Sequence, residues 1–291
     1  MQCAPAGDIF YMNIKPFFSY EQQIEELQRK GIILNHDECL DFLKDVNYYR
    51  LSAYLLPYKG KAARLEFNQI KKIYEFDSKL RSLVIPVIEN VEIKFRSRLA
   101  YLFSEKYGAE GYLDSSNFSS RHNHEAFLSH IAKCITDNRQ SVVIKHHEEK
   151  YEGHYPLWVL IEFFSMGMLS YFYSDMKRSD KKHLVKEIGF PRSDREIESW
   201  LRCLTILRNK CAHYSRLYYS VFPSIPMFEE GLDRERERTL YPQLLMLKNL
   251  LLDDKLWNEM FSVSFHSLIE EYKEFIEEKH IGLPTDWRDR L

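Results

Sequence analysis

Glycine and proline are scarce in this sequence, ten of each among 291 residues. A fold built from short strands and tight turns needs more of both, so long helices are expected. Neither a fixed-period repeat nor a low-complexity tract is present, which removes the usual signs of a solenoid or a disordered tail. Cysteine is sparse too. The five residues Cys3, Cys39, Cys134, Cys203 and Cys211 are odd in number, scattered and never spaced as CxxC. That pattern suggests neither a disulfide framework nor a zinc knuckle and points to a reducing compartment. The opening MQCAPAGDIF lacks the basic start and apolar run of an export signal, so a cytoplasmic protein is expected. The most membrane-like run, Pro156 to Tyr173, carries Glu162 in its middle and falls short of the roughly 20 apolar residues a span needs. A buried core helix is the expectation, with no membrane partner. Nor is there an excess of positive charge: 41 Lys and Arg stand against 43 acids, a net charge of −2. Any contact with a polyanion must therefore be local.

What is present is helical periodicity on a chain with 45% hydrophobic residues, enough to bury a core unaided. Ser19 fits the N-cap of EQQIEELQRK, with Gly31 at its stop, and Asn35 with Glu38 fits the start of a second helix that breaks near Asn47. From Asn68 to Tyr107 apolar residues recur every three or four positions, from Ile70 through Phe76, Leu83 and Phe95 to Leu102. This predicts one long amphipathic helix, kinked at Pro86. Its polar side carries Glu89, Glu92 and Arg96 in one stripe, which reads as a solvated salt-bridge ladder or as support for a site. A loop over 109–125, a helix over roughly 124–150, an apolar helix near 156–174, a short helix closed by Gly189, two closing helices at LYPQLLMLKNLL and KLWNEMFSVSFHSLIEEYKEFIEEKH, and GLPTDWRDRL as an extended tail or cap complete the expected all-α architecture. A single domain over 1–291 is expected, since no stretch is rich enough in Gly, Ser or Pro to be a free linker.

One segment stands apart chemically. Ser193 and Glu196 fit a capping box, and Ile197, Trp200, Leu201, Leu204, Leu207 and Cys211 follow at helical spacing, so a helix over about 194–214 buries that face. The other face carries Arg195, Arg202, Arg208, Asn209, His213 and Arg216. Between Arg192 and Arg216 six Lys or Arg stand against three acids, a local +3. This is the footprint a phosphate backbone needs, with Arg202, Lys210 and Arg216 as candidate RNA contacts. Arg208 and His213 are five residues apart, about 140° around a straight helix, whereas Asn209 and His213 share a face. Near the helix C-terminus the dipole favours an imidazolium, so His213 is placed to give and take protons. RNA cleavage without a metal needs a group to take the 2′-hydroxyl proton, another to protonate the leaving oxygen, and a cation for the charge on phosphorus. Histidine serves the first two needs and arginine the third, through a planar fork that matches phosphate. One helix supplies one histidine, so two copies across a dimer axis complete the set.

The string LRNKCAHYSRLY, Leu207 to Tyr218, resembles the R-N-x-x-x-H signature of the HEPN superfamily of ribonucleases. The chain is similar in particular to the Abi (AbiD/AbiF-like) abortive-infection family of bacteria. VNYYRLSAYLLPY, IPVIENVEIKFRSRLAYLFSEKYG, YPLWVLIEFFSMGMLSYFY and the terminal LPTDW carry that likeness over nearly the whole chain. It implies a HEPN-like helical bundle with additional N- and C-terminal helices and a homodimer with both motifs at the interface. It also implies a metal-independent endoribonuclease acting as a phage-defence toxin, with kinship to the paired HEPN domains of type VI CRISPR effectors and no cofactor. Carried over, Arg208 and His213 are catalytic and Asn209 orients or stabilises the helix end. Family members of this type can be held in check by an antitoxin, either a small RNA or a protein.

Other readings stay open at this level. The same basic stripe suits a non-catalytic RNA- or protein-binding module, and nucleotide transfer in a toxin system is more remote. His122-Asn123-His124 and His146-His147-Glu148-Glu149 raise a metal-dependent nuclease, but neither places ligands on one helical face with a carboxylate base, and solvated polar turns explain both. Tyr48, Tyr49, Tyr214, Tyr218 and Tyr219 could stack on unpaired bases or serve as core. Glu162, in an apolar run, calls for an arginine partner, with Arg208 one candidate.

Overall fold

In the computed structural model, which describes residues 16–60 and 65–291, the first three helices start where the sequence supplies a side-chain oxygen for a free backbone N–H. Cys3 and the MQCAPAGDIF segment lie outside the described residues. Ser19 and Gln22 form a reciprocal capping box for α1 (Tyr20–Arg29). Asn35 accepts from the Glu38 N–H at the head of α2 (His36–Asp45), and Asn47 accepts from Tyr49 to begin α3 (Tyr48–Ser52), so the chain breaks at Asn47 as expected.

The described residues up to Tyr74 make one compact unit and Glu75–Leu291 a second, where the sequence pattern suggests one domain. In the first unit a two-residue strand β1 (Ile32–Ile33) runs parallel to β2 (Leu65–Glu66), pairing Ile32 with Leu65. Phe42 meets the rings of Phe67 and Tyr74 edge-on, an arrangement that favours the ring quadrupoles. Tyr48 accepts from Lys30 at 2.7 Å, while Tyr49 is exposed.

Helix α4 (Phe67–Tyr107) is one unbroken helix of 41 residues. Pro86 does not interrupt it. Pro86 and Ser82, whose carbonyl the proline leaves without its helical donor, are both exposed, so water can take that acceptor. Within the second unit Phe76, Leu80, Val84, Val87, Val91, Phe95, Leu99 and Phe103 are buried, so the core stripe uses Val84 and Phe103 in place of Leu83 and Leu102.

Three expectations need correction. The helix over 124–150 is two, α5 (His124–Asp137) and α6 (Val142–Lys150), because Asn138 turns back onto the Cys134 carbonyl and Ser141 caps the next start. The apolar helix near 156–174 is also two. Helix α7 (Leu157–Leu160) tightens into a 3-10 turn, the backbone extends at Phe164, and Ser165 caps α8 (Met166–Asp175). The last long helix stops at Tyr272: α12 (Asp254–Trp257) passes through a π turn into α13 (Val263–Tyr272).

Between these lie α9 (Arg178–Ile188), closed by left-handed Gly189, then α10 (Asp194–Ala212) and the deeply buried α11 (Leu240–Leu251). The chain ends in α14 (Trp287–Arg290), and Trp287 from the LPTDW segment is buried, so this end is a cap rather than an extended tail. Among the described residues the architecture is all-α apart from the two-residue ladder and an isolated bridge between Phe118 and Met176. Among the described residues no helix is long and apolar enough to cross a membrane.

Candidate functional site

Helix α10 is anchored as its sequence indicates. Ser193 and Glu196 complete the capping box, and Ile197, Trp200, Leu201, Leu204, Leu207 and Cys211 are buried. The buried Glu196 carboxylate also accepts the Glu229 N–H at 3.1 Å, and the Trp200 indole donates to the Met227 carbonyl. One helix thus organises the chain on both sides of it. Burial pushes the Cys203 and Cys211 thiols up to about 12, so neither is a nucleophile near neutral pH.

The helix ends at Ala212 with His213 as its exposed cap. Tyr214 takes a left-handed conformation (φ 55°), the Ser215 N–H reaches the Lys210 carbonyl at 2.7 Å, and the Tyr214 N–H reaches Cys211 at 3.1 Å. This is a Schellman closure in which tyrosine occupies the position glycine usually fills. What secures it lies far away in sequence. The wholly buried Asp77 of α4 accepts the N–H groups of Leu217 at 3.0 Å and Tyr218 at 2.7 Å, and its other oxygen pairs with buried Arg81. Tyr218 is itself buried, its hydroxyl bonded to His280 Nδ1 at 2.7 Å and accepting the Glu277 N–H at 3.0 Å. Tyr218 therefore cannot present its ring to a base.

Arg208 is half-buried and, with Ala212, lines a pocket of about 360 Å³ whose opposite wall is the Glu89, Glu92 and Arg96 stripe of α4. The stripe is more than a surface ladder. Arg96 donates to Glu92 at 2.7 Å and to the Phe164 carbonyl at 2.9 Å, using the acceptor that the break between α7 and α8 leaves open. Glu162 is not buried: its side chain is 60% exposed, because the apolar run breaks there, and its cationic neighbour is Arg96 at 3.8 Å, not Arg208. Arg208 donates to the Asn209 side chain at 3.3 Å and forms no ion pair among the described residues. An arginine left free at an open pocket is available to an anion.

The remaining candidates separate. Lys210 turns inward to donate to Ser220 at 2.9 Å and lies over the Phe222 ring; burial, with Arg216 nearby, lowers its pKa. Arg216, past the cap, sits over the Tyr219 ring. Arg202 lies three turns back along α10 in a different pocket. The first histidine cluster is not a solvated turn, and the second lies on α6 with His146, Glu148 and Glu149 exposed and only His147 buried. The His122 side chain is 2% exposed and bonds Asp175 and His124, while His147 is buried and donates to the His154 carbonyl. Asp77 and His280 are not among the residues that the sequence pattern singles out. An acid and a base four apart within an apolar stripe, Asp77 and Arg81, were the available signal for the first.

Helices throughout, with one of them closing in Arg-Asn-x-x-x-His and carrying Arg208 at an open pocket, define an all-α protein with a cationic helix end. The chain belongs to the Abi-like protein family (Abi_2), whose sequence model matches residues 41–219, more than half of it. That membership suggests a role in phage defence. The match ends at Tyr219, in the segment that Asp77 and His280 hold. No curated protein and no solved structure matches the chain.

Proposed function

We propose that this protein is a HEPN-type, metal-independent endoribonuclease that cleaves RNA as a phage-defence toxin, with Arg208 and His213 from each of two copies making a composite site. The observation that carries this reading is Arg208, half-buried at an open pocket without an ion pair, on the helix end whose cap is the exposed His213. In the reaction the substrate's 2′-oxygen attacks the adjacent phosphorus and the bond to the 5′-oxygen breaks. One histidine takes the 2′-hydroxyl proton, the other supplies a proton to the departing oxygen, and arginine balances charge on the phosphoryl oxygens. Asn209 holds the Arg208 guanidinium. The dimeric form is supported by Ile85 and Ile93, 40% and 55% exposed at the same pocket, since apolar side chains at a pocket rim favour a covering partner. An antitoxin, RNA or protein, would act by covering this helix end.

The test is incubation of the purified chain with defined RNAs in chelator, comparing wild type with Arg208→Ala and His213→Ala and analysing fragment ends. Cleavage by wild type alone, leaving 2′,3′-cyclic phosphate, is expected. RNA binding without cleavage by any of the three proteins would replace this reading with that of a binding module.

A further inference from the structure

Residues Arg195, Ser199, Arg202, Ile206, Asn209 and His213 of α10 step by four, three, four, three and four. They form one stripe of the helix, and it leads from the helix start to the proposed site. Two pockets open along it. One, of about 460 Å³, is lined by Arg121, Arg178, Lys181, Arg195 and Arg202 together with Asp194 and Glu198. The other, of about 490 Å³, lies between α8 and α10 and is lined by Ser170, Tyr171, Thr205 and Ile206. Both include Glu198 and Arg202, so they adjoin as one groove.

The charge in this groove is not used up internally. Arg178 pairs with Asp194 at 3.2 Å and Lys181 with Glu198 at 2.6 Å, while Arg121 reaches Glu198 only at 3.9 Å. Arg195 and Arg202 are exposed and make no ion pair or hydrogen bond among the described residues. In the pocket that Arg202 also lines, Tyr171 of α8 is 75% exposed. Two spare guanidinium groups with an exposed aromatic ring are the elements of a single-strand site, cations for the backbone and a face for a base.

We propose that this groove along α10, walled by α8 beside Arg202 and by Arg121 and the start of α9 beside Arg195, holds a single-stranded segment of the RNA substrate flanking the bond that is cut, with Arg195 and Arg202 on its phosphates and Tyr171 stacked on a base. The inference rests on the reading of the chain as acting on RNA. At 1.5 Å per helical residue, Arg202 lies about 17 Å and Arg195 about 27 Å along α10 from His213. The groove therefore engages nucleotides well removed from the scissile bond and distinguishes long substrates from dinucleotides.

The experiment measures binding of a fluorescent 12-nucleotide single-stranded RNA across a salt series, in a His213→Ala background that leaves the probe uncut. Arg195→Gln/Arg202→Gln is expected to weaken binding at least tenfold and to lower the slope of log K against log salt by about 1.4, from two lost single-strand phosphate contacts. Tyr171→Ala is expected to weaken binding roughly tenfold with the slope unchanged, because it removes stacking and no charge. All three side chains are exposed, so the variants fold. With His213 restored, the same changes should impair cleavage of the 12-mer and spare a dinucleotide. Wild-type affinity and slope in the arginine variant would overturn the groove and leave the nuclease reading standing. Loss of binding in that variant, with no cleavage by wild type, would keep the groove and discard the nuclease. Equal binding of a 12-base-pair duplex through the same arginines, or full competition by inorganic triphosphate at equal phosphate, would overturn the single-strand assignment.

Discussion

The carboxylate of Asp77 accepts the backbone N–H of Tyr218 at 2.7 Å across 141 residues of chain. Through this bond, the bond to Leu217 and the pair with Arg81, the long helix fixes the direction the chain takes after His213. The candidate site is thus set by a buried acid that touches none of its proposed reacting groups.

Replacing Asp77 by alanine leaves the Leu217 and Tyr218 N–H groups without this acceptor and removes the carboxylate that pairs with buried Arg81. Breaking such a pair from one side costs about 3–5 kcal/mol. Asp77→Asn retains an acceptor oxygen and should lose less. All four tryptophans, Trp158, Trp200, Trp257 and Trp287, belong to the unit from Glu75 onward, so urea unfolding followed by their fluorescence reads this unit. Equal midpoints for the two variants would mean that Asp77 acts only as a charge.

Arg96 joins Glu92 to the Phe164 carbonyl, so it ties α4 to the break that sets the start of α8. Arg96→Met should destabilise by about 1–3 kcal/mol, the cost of leaving partly buried polar groups unsatisfied. If Glu92 and Arg96 hold the pocket wall in place, Arg96→Met and Glu92→Ala should also slow RNA cleavage roughly ten- to hundredfold, as displaced reacting groups do. Cleavage at the wild-type rate by Glu92→Ala would remove the stripe from the supporting set.

Asp180 offers a pH dependence with a definite sign. Burial works to raise its pKa, but hydrogen bonds from Lys106 and from the Tyr107 hydroxyl at 2.6 Å outweigh burial and hold it below the ordinary carboxylate range. A depressed carboxylate adds stability that is fully present above its unfolded pKa of about 3.9 and is lost as pH falls through the folded value. The window is therefore below about pH 4. Asp180→Asn should flatten the acid limb of a urea-midpoint profile there, and an unchanged limb would assign the acid loss to other carboxylates.

Much of the scaffold is local and was legible. The N-cap at Ser19, the capping box at Ser193, the left-handed stop at Gly189 and the apolar period of α4 depend on neighbours within four residues, and the structure has each of them. The breaks at Asn138 and Ser165 were local as well, but their caps lie inside apolar or weakly amphipathic runs whose period continues through the interruption. Apolar spacing alone joined what a single side-chain oxygen separates.

By itself the sequence determined an all-α chain, the extent and buried face of α10, and the placement of Arg208, Asn209 and His213 at its end, because helical spacing and capping are properties of nearby residues. Only the tertiary structure decided which of the cationic residues are spare. Lys210 is turned onto Ser220 and Phe222, Glu162 lies in solvent beside Arg96, and Arg195 and Arg202 stand open in the groove along α10. Whether a charge is paired or free depends on partners tens of residues away, and the spacing of residues along one helix carries no record of them.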